Sequence, residues 1–192
     1  MIVISHPTAV ANEINTIHSL FAEGLPLLHI RKPGYSETAI KAFITAVGPE
    51  LSQRLVLHSH HHLANDFGIN RLHYSKTHAE TIKKDSDTIL SGSTHSITEF
   101  NALKKEFDYA FLSPVFPSIS KTGYTSHIDH LKIIYKRTNF PTKLIALGGI
   151  SADNIQRTLA AGFDDVALLG TIWNSTNPLE NFKQCMQVAL LS

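Results

Sequence analysis

Residues 143–151 read Lys-Leu-Ile-Ala-Leu-Gly-Gly-Ile-Ser, and this stretch decides the fold. Its aliphatic residues follow one another without alternation, as in a parallel strand that is covered on both faces. Ser151 then precedes a periodic stretch that stops at Gly162, which indicates a helix directly after the strand. The stretch is therefore one β–α unit, with two adjacent glycines at the carboxyl end of its strand.

The same alternation of a short aliphatic run and a longer amphipathic segment continues along the rest of the chain. Eight runs are predicted as strands: residues 2–4, 27–30, 55–58, 71–74, 88–91, 109–112, 143–146 and 165–168. Helix starts at Ser36 and at the capping box Ser96-Ile97-Thr98-Glu99 support this division. Residues 77–87 form the weakest unit and are predicted as a turn or a stub of helix. We predict an α/β fold with a single (β/α)8 TIM barrel over residues 1–192, and a doubly wound open sheet is the alternative because alternation alone does not prove closure.

The composition favours a cytoplasmic protein without a strong overall charge. Hydrophobic residues make up 43% of the 192 residues, enough to bury a core, and 17 Lys and Arg balance 16 Asp and Glu. No net field therefore attracts nucleic acid or an anionic membrane. Cys185 is the single cysteine and is predicted to be a packing residue in a reducing compartment. The apolar run at the N-terminus is too short for a signal peptide, and no run is long enough to span a bilayer.

In a barrel of this kind, the functional loops follow the carboxyl ends of the strands. Gly148 and Gly149 follow the seventh predicted strand, and Leu169 and Gly170 follow the eighth. Glycine lets a ligand approach the backbone, and the amides at the start of a following helix can donate hydrogen bonds to phosphate oxygens. Glycines that merely allow tight turns are the alternative, but their position favours a cup for phosphate.

The segment after the sixth predicted strand, residues 113–123, carries hydroxyls, two prolines and a lysine. Ser118 and Ser120 could donate hydrogen bonds to a phosphate or diphosphate, and Lys121 would add a positive charge. Arg31 follows the second strand and is predicted to point into the same mouth. The alternatives are a solvated loop for the segment and a surface salt bridge for Arg31.

Taken together, these segments resemble the superfamily of thiamine phosphate synthases and TenI-type thiazole tautomerases. The resemblance covers nearly the whole chain and rests on Leu28-His29-Ile30-Arg31-Lys32, Ser93-Thr94-His95-Ser96, residues 108–123, Ala146-Leu147-Gly148-Gly149-Ile150 and residues 165–172. The residues that it implies for cradling the phosphate of a thiazole phosphate are Gly148, Gly149, Leu169 and Gly170. At the diphosphate position of the synthases it implies Ser118, Ser120 and Lys121, and Arg31 matches the arginine after strand two.

Two loops depart from the synthase pattern. Synthases typically carry an Asn-Asp pair after strand three and another acid after strand four, which are ligands suited to Mg²⁺. Here residues 57–62 read Leu-His-Ser-His-His-His and residues 72–78 read Leu-His-Tyr-Ser-Lys-Thr-His, without a carboxylate, and neither Asp66 nor Asp87 obviously replaces one. His29 also stands at the usual glutamine, and Pro33 at a second lysine. These departures favour the tautomerase branch, which needs no metal.

We therefore expect an enzyme of thiamine biosynthesis, a metal-independent tautomerase in which His95 acts as general acid and base. His58 and Ser93 are expected to help bind its substrate, a phosphorylated thiazole, and no cofactor is expected. A divergent thiamine phosphate synthase, which would need Mg²⁺, and an inactive thiazole-phosphate-binding regulator are the alternatives. His95 could instead merely orient the loop before Ser96. We expect neither nucleic acid nor a membrane as a partner, and the sequence allows a homo-oligomer.

The histidine-rich run offers a separate hypothesis. A transition metal could be bound by His58, His60, His61 and His62, together with His73 and His78. The run lacks a defined ligand spacing, acidic partners and cysteines, so we do not expect such a site. A substrate pocket lined by His58 or His60 is favoured, in which a protonated imidazole could pair with a substrate carboxylate.

Overall fold

Eight parallel strands close into a barrel in the computed structural model, which describes residues 1–75, 85–117 and 129–192. Each strand pairs with the next along the chain, and the eighth pairs with the first. In chain order the strands are β1 (Ile2–Ile4), β2 (Leu27–Ile30), β3 (Leu55–Leu57), β4 (Arg71–Tyr74), β5 (Ile89–Thr94), β6 (Tyr109–Leu112), β7 (Lys143–Leu147) and β8 (Asp165–Leu168). This closed order confirms the predicted barrel over the open sheet.

Three strands differ at their ends from the sequence prediction. β3 ends at Leu57, one residue early, and β7 continues to Leu147, one residue late. β5 runs on to Thr94 instead of ending at residue 91, because the polar residues after Gly92 still pair with β6. An aliphatic pattern cannot detect a strand end that is made of serine and threonine.

The helices of the described residues surround the barrel, and three of them begin directly after the predicted serines Ser36, Ser96 and Ser151. They are α1 (Glu13–Ala22), α2 (Glu37–Val47), α3 (Ile97–Asn101), α4 (His130–Ile133), α5 (Ala152–Ala160), α6 (Gly170–Trp173) and α7 (Pro178–Leu190), with 3-10 helices at Pro49–Arg54, His61–Leu63, Asn65–Phe67 and Ile134–Lys136. Ser36 Oγ accepts from Ala39 N at 3.2 Å, and Ser96 Oγ accepts from Glu99 N at 3.1 Å, which confirms both predicted caps. Most of the weak fourth unit lies outside the described residues.

Apolar side chains pack in two layers, one on each side of the strands. The larger layer lies between the strands and the helices and includes Cys185, which is 1% exposed, as predicted for a packing residue. The smaller layer lies inside the barrel and consists of Ile2, Ile4, Tyr109, Phe111, Ile145 and Ala167. β7 and β8 contribute to both layers, which explains their continuous aliphatic runs.

The inside of the barrel is polar on one side. β2 and β4 place the buried imidazoles of His29 and His73 there, and β5 adds the buried hydroxyl of Ser91. Buried polar groups need hydrogen-bond partners, so this side of the barrel must satisfy its own nitrogen and oxygen atoms.

Among the helices of the described segments, none is long and apolar enough to cross a membrane.

Candidate functional site

A cavity of about 880 Å³ opens at the carboxyl ends of the strands, and every one of the eight strand-to-helix loops contributes to its wall. The predicted site residues that line it are Arg31, His58, Ser93, His95, Gly148, Gly149, Leu169 and Gly170. The structure therefore brings together all the predicted residues that it describes. Ser118, Ser120 and Lys121 lie outside the described residues, so their placement stays a prediction.

The glycine turn after β7 is held in a conformation and at a distance that require glycine. Gly148 and Gly149 have φ angles of +98° and +64°. A Cβ on Gly148 would lie 2.9 Å from Pro114 Cα, and one on Gly149 would lie 2.5 Å from the carbonyl oxygen of Pro117. The glycines thus serve a tight turn, as the alternative held, and they also leave backbone exposed to the cavity.

Hydrogen bonds fasten this turn to the loop after β6 and to the start of α5. The amides of Val115 and Phe116 donate to the carbonyl oxygens of Leu147 and Gly148, at 2.9 and 3.0 Å. Asn154 Nδ2 donates to the Gly149 carbonyl at 2.8 Å, while its Oδ1 accepts from the Ser151 amide at 3.0 Å. The backbone that lines this part of the cavity is therefore fixed before any ligand binds.

Two cations follow β2, and they differ in their partners. The Lys32 ammonium is buried and donates to both carboxylate oxygens of Glu13, at 2.7 and 2.6 Å, and to the Thr8 carbonyl at 3.0 Å. Burial lowers the pKa of Lys32, although Glu13 opposes the shift. The Arg31 guanidinium also lines the cavity, and within the described segments no hydrogen bond or ion pair holds it. Arg31 is therefore the cation that an anionic ligand would meet.

Three imidazoles from neighbouring strands meet at the inner wall of the cavity. His29 Nδ1 lies 2.9 Å from His58 Nε2, and the rings of His58 and His73 stack with their centroids 4.0 Å apart. His29 Nε2 lies 2.8 Å from the Tyr109 hydroxyl. We call these three residues the imidazole cluster.

The imidazole cluster is neutral around pH 7. Burial lowers the pKa of His29 and of His58 well below the usual value, and each is lowered further by the neighbouring His73. Burial, with the charges of His61 and Arg31, lowers the pKa of His73 to about 3. Because the His58 ring is neutral, it does not offer the predicted pairing of a protonated imidazole with a substrate carboxylate.

The other histidines of the run point in different directions. His60 has a φ of +53°, and its Nε2 hydrogen-bonds the Tyr35 carbonyl at 3.1 Å outside the cavity wall. His61 bonds the Leu57 carbonyl, and the exposed His62 pairs with Glu37. The side chains of the run do not converge on one point. Of the pair His58 and His60, only His58 lines the described cavity wall, which His61 also lines.

His95 lies at the rim of the cavity with one ring nitrogen engaged. Its Nδ1 is 2.9 Å from the Ser113 carbonyl, which can only accept, so Nδ1 carries the proton and Nε2 keeps its lone pair. Its amide donates to Glu99 Oε2 at 2.8 Å, at the start of α3. This geometry serves the loop and also leaves a nitrogen that can accept a proton.

The described wall of the cavity does not fit Mg²⁺. It contains no aspartate or glutamate, whereas Mg²⁺ prefers hard oxygen ligands that usually include a carboxylate. Asp66 lies exposed on the 3-10 helix Asn65–Phe67, and Asp87 lies exposed before β5; neither lines the cavity. The described cavity wall therefore offers Mg²⁺ no carboxylate ligand.

Sequence reasoning missed several residues that shape the site. The pairing of Glu13 with Lys32 joins residues far apart in sequence and leaves no local signal. Asn154 stands three residues after Ser151, which is a capping spacing and could have been recognised. Sequence spacing could not show that His29 and His73 lie beside His58, because the register of the barrel brings the three residues together.

Comparison with known proteins agrees with the resemblance. The sequence profile of a family described as thiamine monophosphate synthase matches residues 1–172. A thiamine-phosphate synthase from Anoxybacillus flavithermus is 30% identical over 111 residues, covering 54% of this chain and 49% of that protein. A thiamine-phosphate synthase from Bacillus cereus is 28% identical over 108 residues, covering 55% and 48%. The chain thus spans about half the length of these curated relatives.

Solved structures give matches over the full chain. The thiamine phosphate pyrophosphorylase from Bacteroides thetaiotaomicron has a TM-score of 0.79 at 28% identity and covers 100% of this chain and 98% of that one. The protein of the same name from Pyrococcus furiosus has a TM-score of 0.78 at 15% identity, covering 99% and 95%, and supports the fold alone. Because the family profile covers most of the chain, the protein belongs to the thiamine monophosphate synthase family.

Proposed function

We propose that this protein joins a pyrimidine methyl diphosphate to a thiazole phosphate, forming thiamine phosphate and releasing diphosphate. The observation that carries the proposal is that one cavity is lined both by the glycine backbone after β7 and β8 and by Arg31 after β2. We infer that each of these two places binds an anionic group of the substrates. The names of the relatives support this synthase alternative better than the tautomerase that the sequence analysis placed first.

Each end of the cavity suits a different part of the reaction. The exposed backbone at Gly148 and Gly149 can hold the thiazole phosphate, with Leu169 and Gly170 beside it. The apolar residues Ile4, Phe111 and Ala167 line the wall and offer a surface for flat rings. The substrate rings can therefore lie between the glycine backbone and Arg31.

The bond change requires positive charge at the leaving group. The thiazole ring nitrogen forms a bond to the methylene carbon of the pyrimidine, and the carbon–oxygen bond to diphosphate breaks. Arg31 is placed to stabilise the negative charge that develops on the departing diphosphate, and a planar guanidinium can bind phosphate oxygens in pairs. We predict that Ser118, Ser120 and Lys121 complete this position.

The direct test is incubation with the pyrimidine diphosphate and the thiazole phosphate, with and without added divalent metal, and measurement of thiamine phosphate. We expect product, and we expect Arg31→Gln to lower kcat/KM on the order of 100-fold, as for loss of a charge-stabilising group. Lys183→Gln removes a cation from α7 outside the cavity and should leave the rate unchanged. Absence of product under all metal conditions would overturn the proposal.

A thiazole tautomerase is the second candidate, and the described cavity wall without a carboxylate favours it. In that reaction His95 Nε2 would accept and return the proton, while Nδ1 stays bonded to the Ser113 carbonyl. The carboxylated thiazole phosphate tautomer is the substrate to offer. His95→Asn should then lower turnover on the order of 100-fold or more and leave thiazole phosphate binding intact. If neither reaction exceeds background while thiazole phosphate binds, the inactive binder is the remaining hypothesis.

A further inference from the structure

We propose that His29, His58 and His73 form a site for a transition metal ion, with Zn²⁺ as the favoured occupant. One ring nitrogen from each residue lies within 4.8 Å of the others. His29 lies in β2, His73 lies in β4, and His58 directly follows β3. Imidazole nitrogens are the ligands that zinc, nickel and cobalt prefer over magnesium. The inference deepens the proposed function at the same cavity, but the binding itself depends only on these three side chains.

The cluster already has the protonation state that a metal needs. A metal ligand must be a neutral imidazole with a lone pair on the coordinating nitrogen. His29 and His73 are buried and His58 is half-buried, and burial disfavours the charged form of an imidazole. Metal binding therefore does not have to displace a ring charge first.

Hydrogen bonds around the cluster can orient the rings in the bound state. The His29 ring can place its proton on Nε2 and donate to the Tyr109 hydroxyl, which leaves the Nδ1 lone pair facing His58. His73 lies 2.9 Å from both Ser91 Oγ and Ser93 Oγ, so one serine can hold the ring when the other nitrogen binds metal.

The position of the cluster leaves one side open to a ligand. His58 and His73 line the cavity, whereas His29 lies behind them and is fully buried. Three histidines with an open fourth position are the arrangement of catalytic rather than structural zinc sites. In a synthase, the open position would take an oxygen of the diphosphate, on the side of the cavity that carries Arg31.

The test is a titration of the whole metal-free protein, without substrates. We expect one equivalent of Zn²⁺ by calorimetry, and with Co²⁺ as the probe we expect the visible absorption of a four-coordinate ion. His58→Asn and His73→Asn should each weaken metal affinity on the order of 100-fold, and Ser93→Ala about 10-fold. His62→Asn is the matched control on the exposed part of the run and should change nothing.

Two results would overturn the proposal: no Zn²⁺ binding at micromolar concentrations, or unchanged binding in both cluster variants. Displacement of Co²⁺ by millimolar Mg²⁺ would also contradict it. Should the variants fail to fold, the unmodified protein still decides, because three ring N–H protons should show paramagnetic shifts in its Co²⁺ NMR spectrum. Fewer than three such protons would reject the three-histidine site. Since no turnover is measured, failure of the synthase reaction does not count against metal binding.

Discussion

The two sides of the cavity are built on different principles. On the side of β6, β7 and β8, glycine backbone and apolar side chains line the wall, and a backbone-to-backbone hydrogen-bond pair holds two loops together. On the side of β2, β3 and β4, the wall consists of imidazoles and cations whose state depends on protons and partners. Ligand binding on the first side should depend on the shape of the wall, and on the second side it should depend on the ionisation of the side chains.

This difference matches the pattern of the sequence. The glycine side agrees with the family resemblance, whereas the imidazole side is where the acidic residues of the synthase pattern are missing. Variants on the two sides should respond to different variables, and this gives several ways to test the comparison.

The largest expected effect is on the ionisable side, at the buried pair of Lys32 and Glu13. Glu13→Gln leaves the Lys32 ammonium buried without its counter-charge, so the free energy of unfolding should fall by about 3–5 kcal/mol. Urea denaturation at pH 7 measures it. The exposed pair of Lys41 and Glu37 provides the control, since water already solvates both charges and Glu37→Gln should lower the free energy of unfolding far less. Equal losses in the two variants would show that burial does not set the strength of this pair.

The next effect is on the glycine side, where shape decides. Gly149→Ala should lower the free energy of unfolding by about 1–3 kcal/mol, because its Cβ would collide with the loop after β6. Phosphate affinity should fall with it, independently of pH. Gly68→Ala is matched in backbone strain, with a φ of +62°, but its Cβ would meet nothing within 4 Å. If both variants lose the same stability and phosphate affinity, the close approach is not what requires glycine.

The pH dependence of the free energy of unfolding should also distinguish the two sides of the cavity. In metal-free protein the cluster has folded-state pKa values below those of unfolded histidine, so the unfolded chain binds more protons between the two values. Stability should therefore fall as the pH drops below about 6.5, by about 1.4 kcal/mol per pH unit for each imidazole. His58→Gln should reduce this slope by one imidazole's share, as measured by urea denaturation from pH 7 to pH 5. A slope unchanged by the substitution would mean that His58 is not buried as a neutral ring.

The smallest effect is expected on the exposed part of the histidine run. His62→Gln should change the free energy of unfolding by less than about 0.5 kcal/mol, because its ring is 62% exposed and its pairing with Glu37 is solvated. A larger change would mean that the run acts as a unit, contrary to the divergent directions of its side chains.

The fold and the location of the site could be predicted because both depend on local patterns. Aliphatic runs define most strands, and the carboxyl ends of parallel strands always meet at one face of a barrel, so Arg31, His95 and Gly148 could be placed together. The imidazole cluster could not be predicted, because strand register decides which histidines face inward. The backbone at His60 is left-handed, and the side chains of His60 and His62 contact residues outside the cavity wall, which no residue type signals in advance.

The hydrogen bonds between the loop after β6 and the turn after β7 have a consequence for the order of events in solution. Val115 and Phe116 tie the loop that leads to the predicted diphosphate position to the glycine turn that would hold the other phosphate. A ligand that shifts one of these hydrogen-bonded segments must also shift its neighbour, so binding at the two positions should be coupled, and such coupling is reciprocal. Occupation of either position should therefore change the affinity of the other.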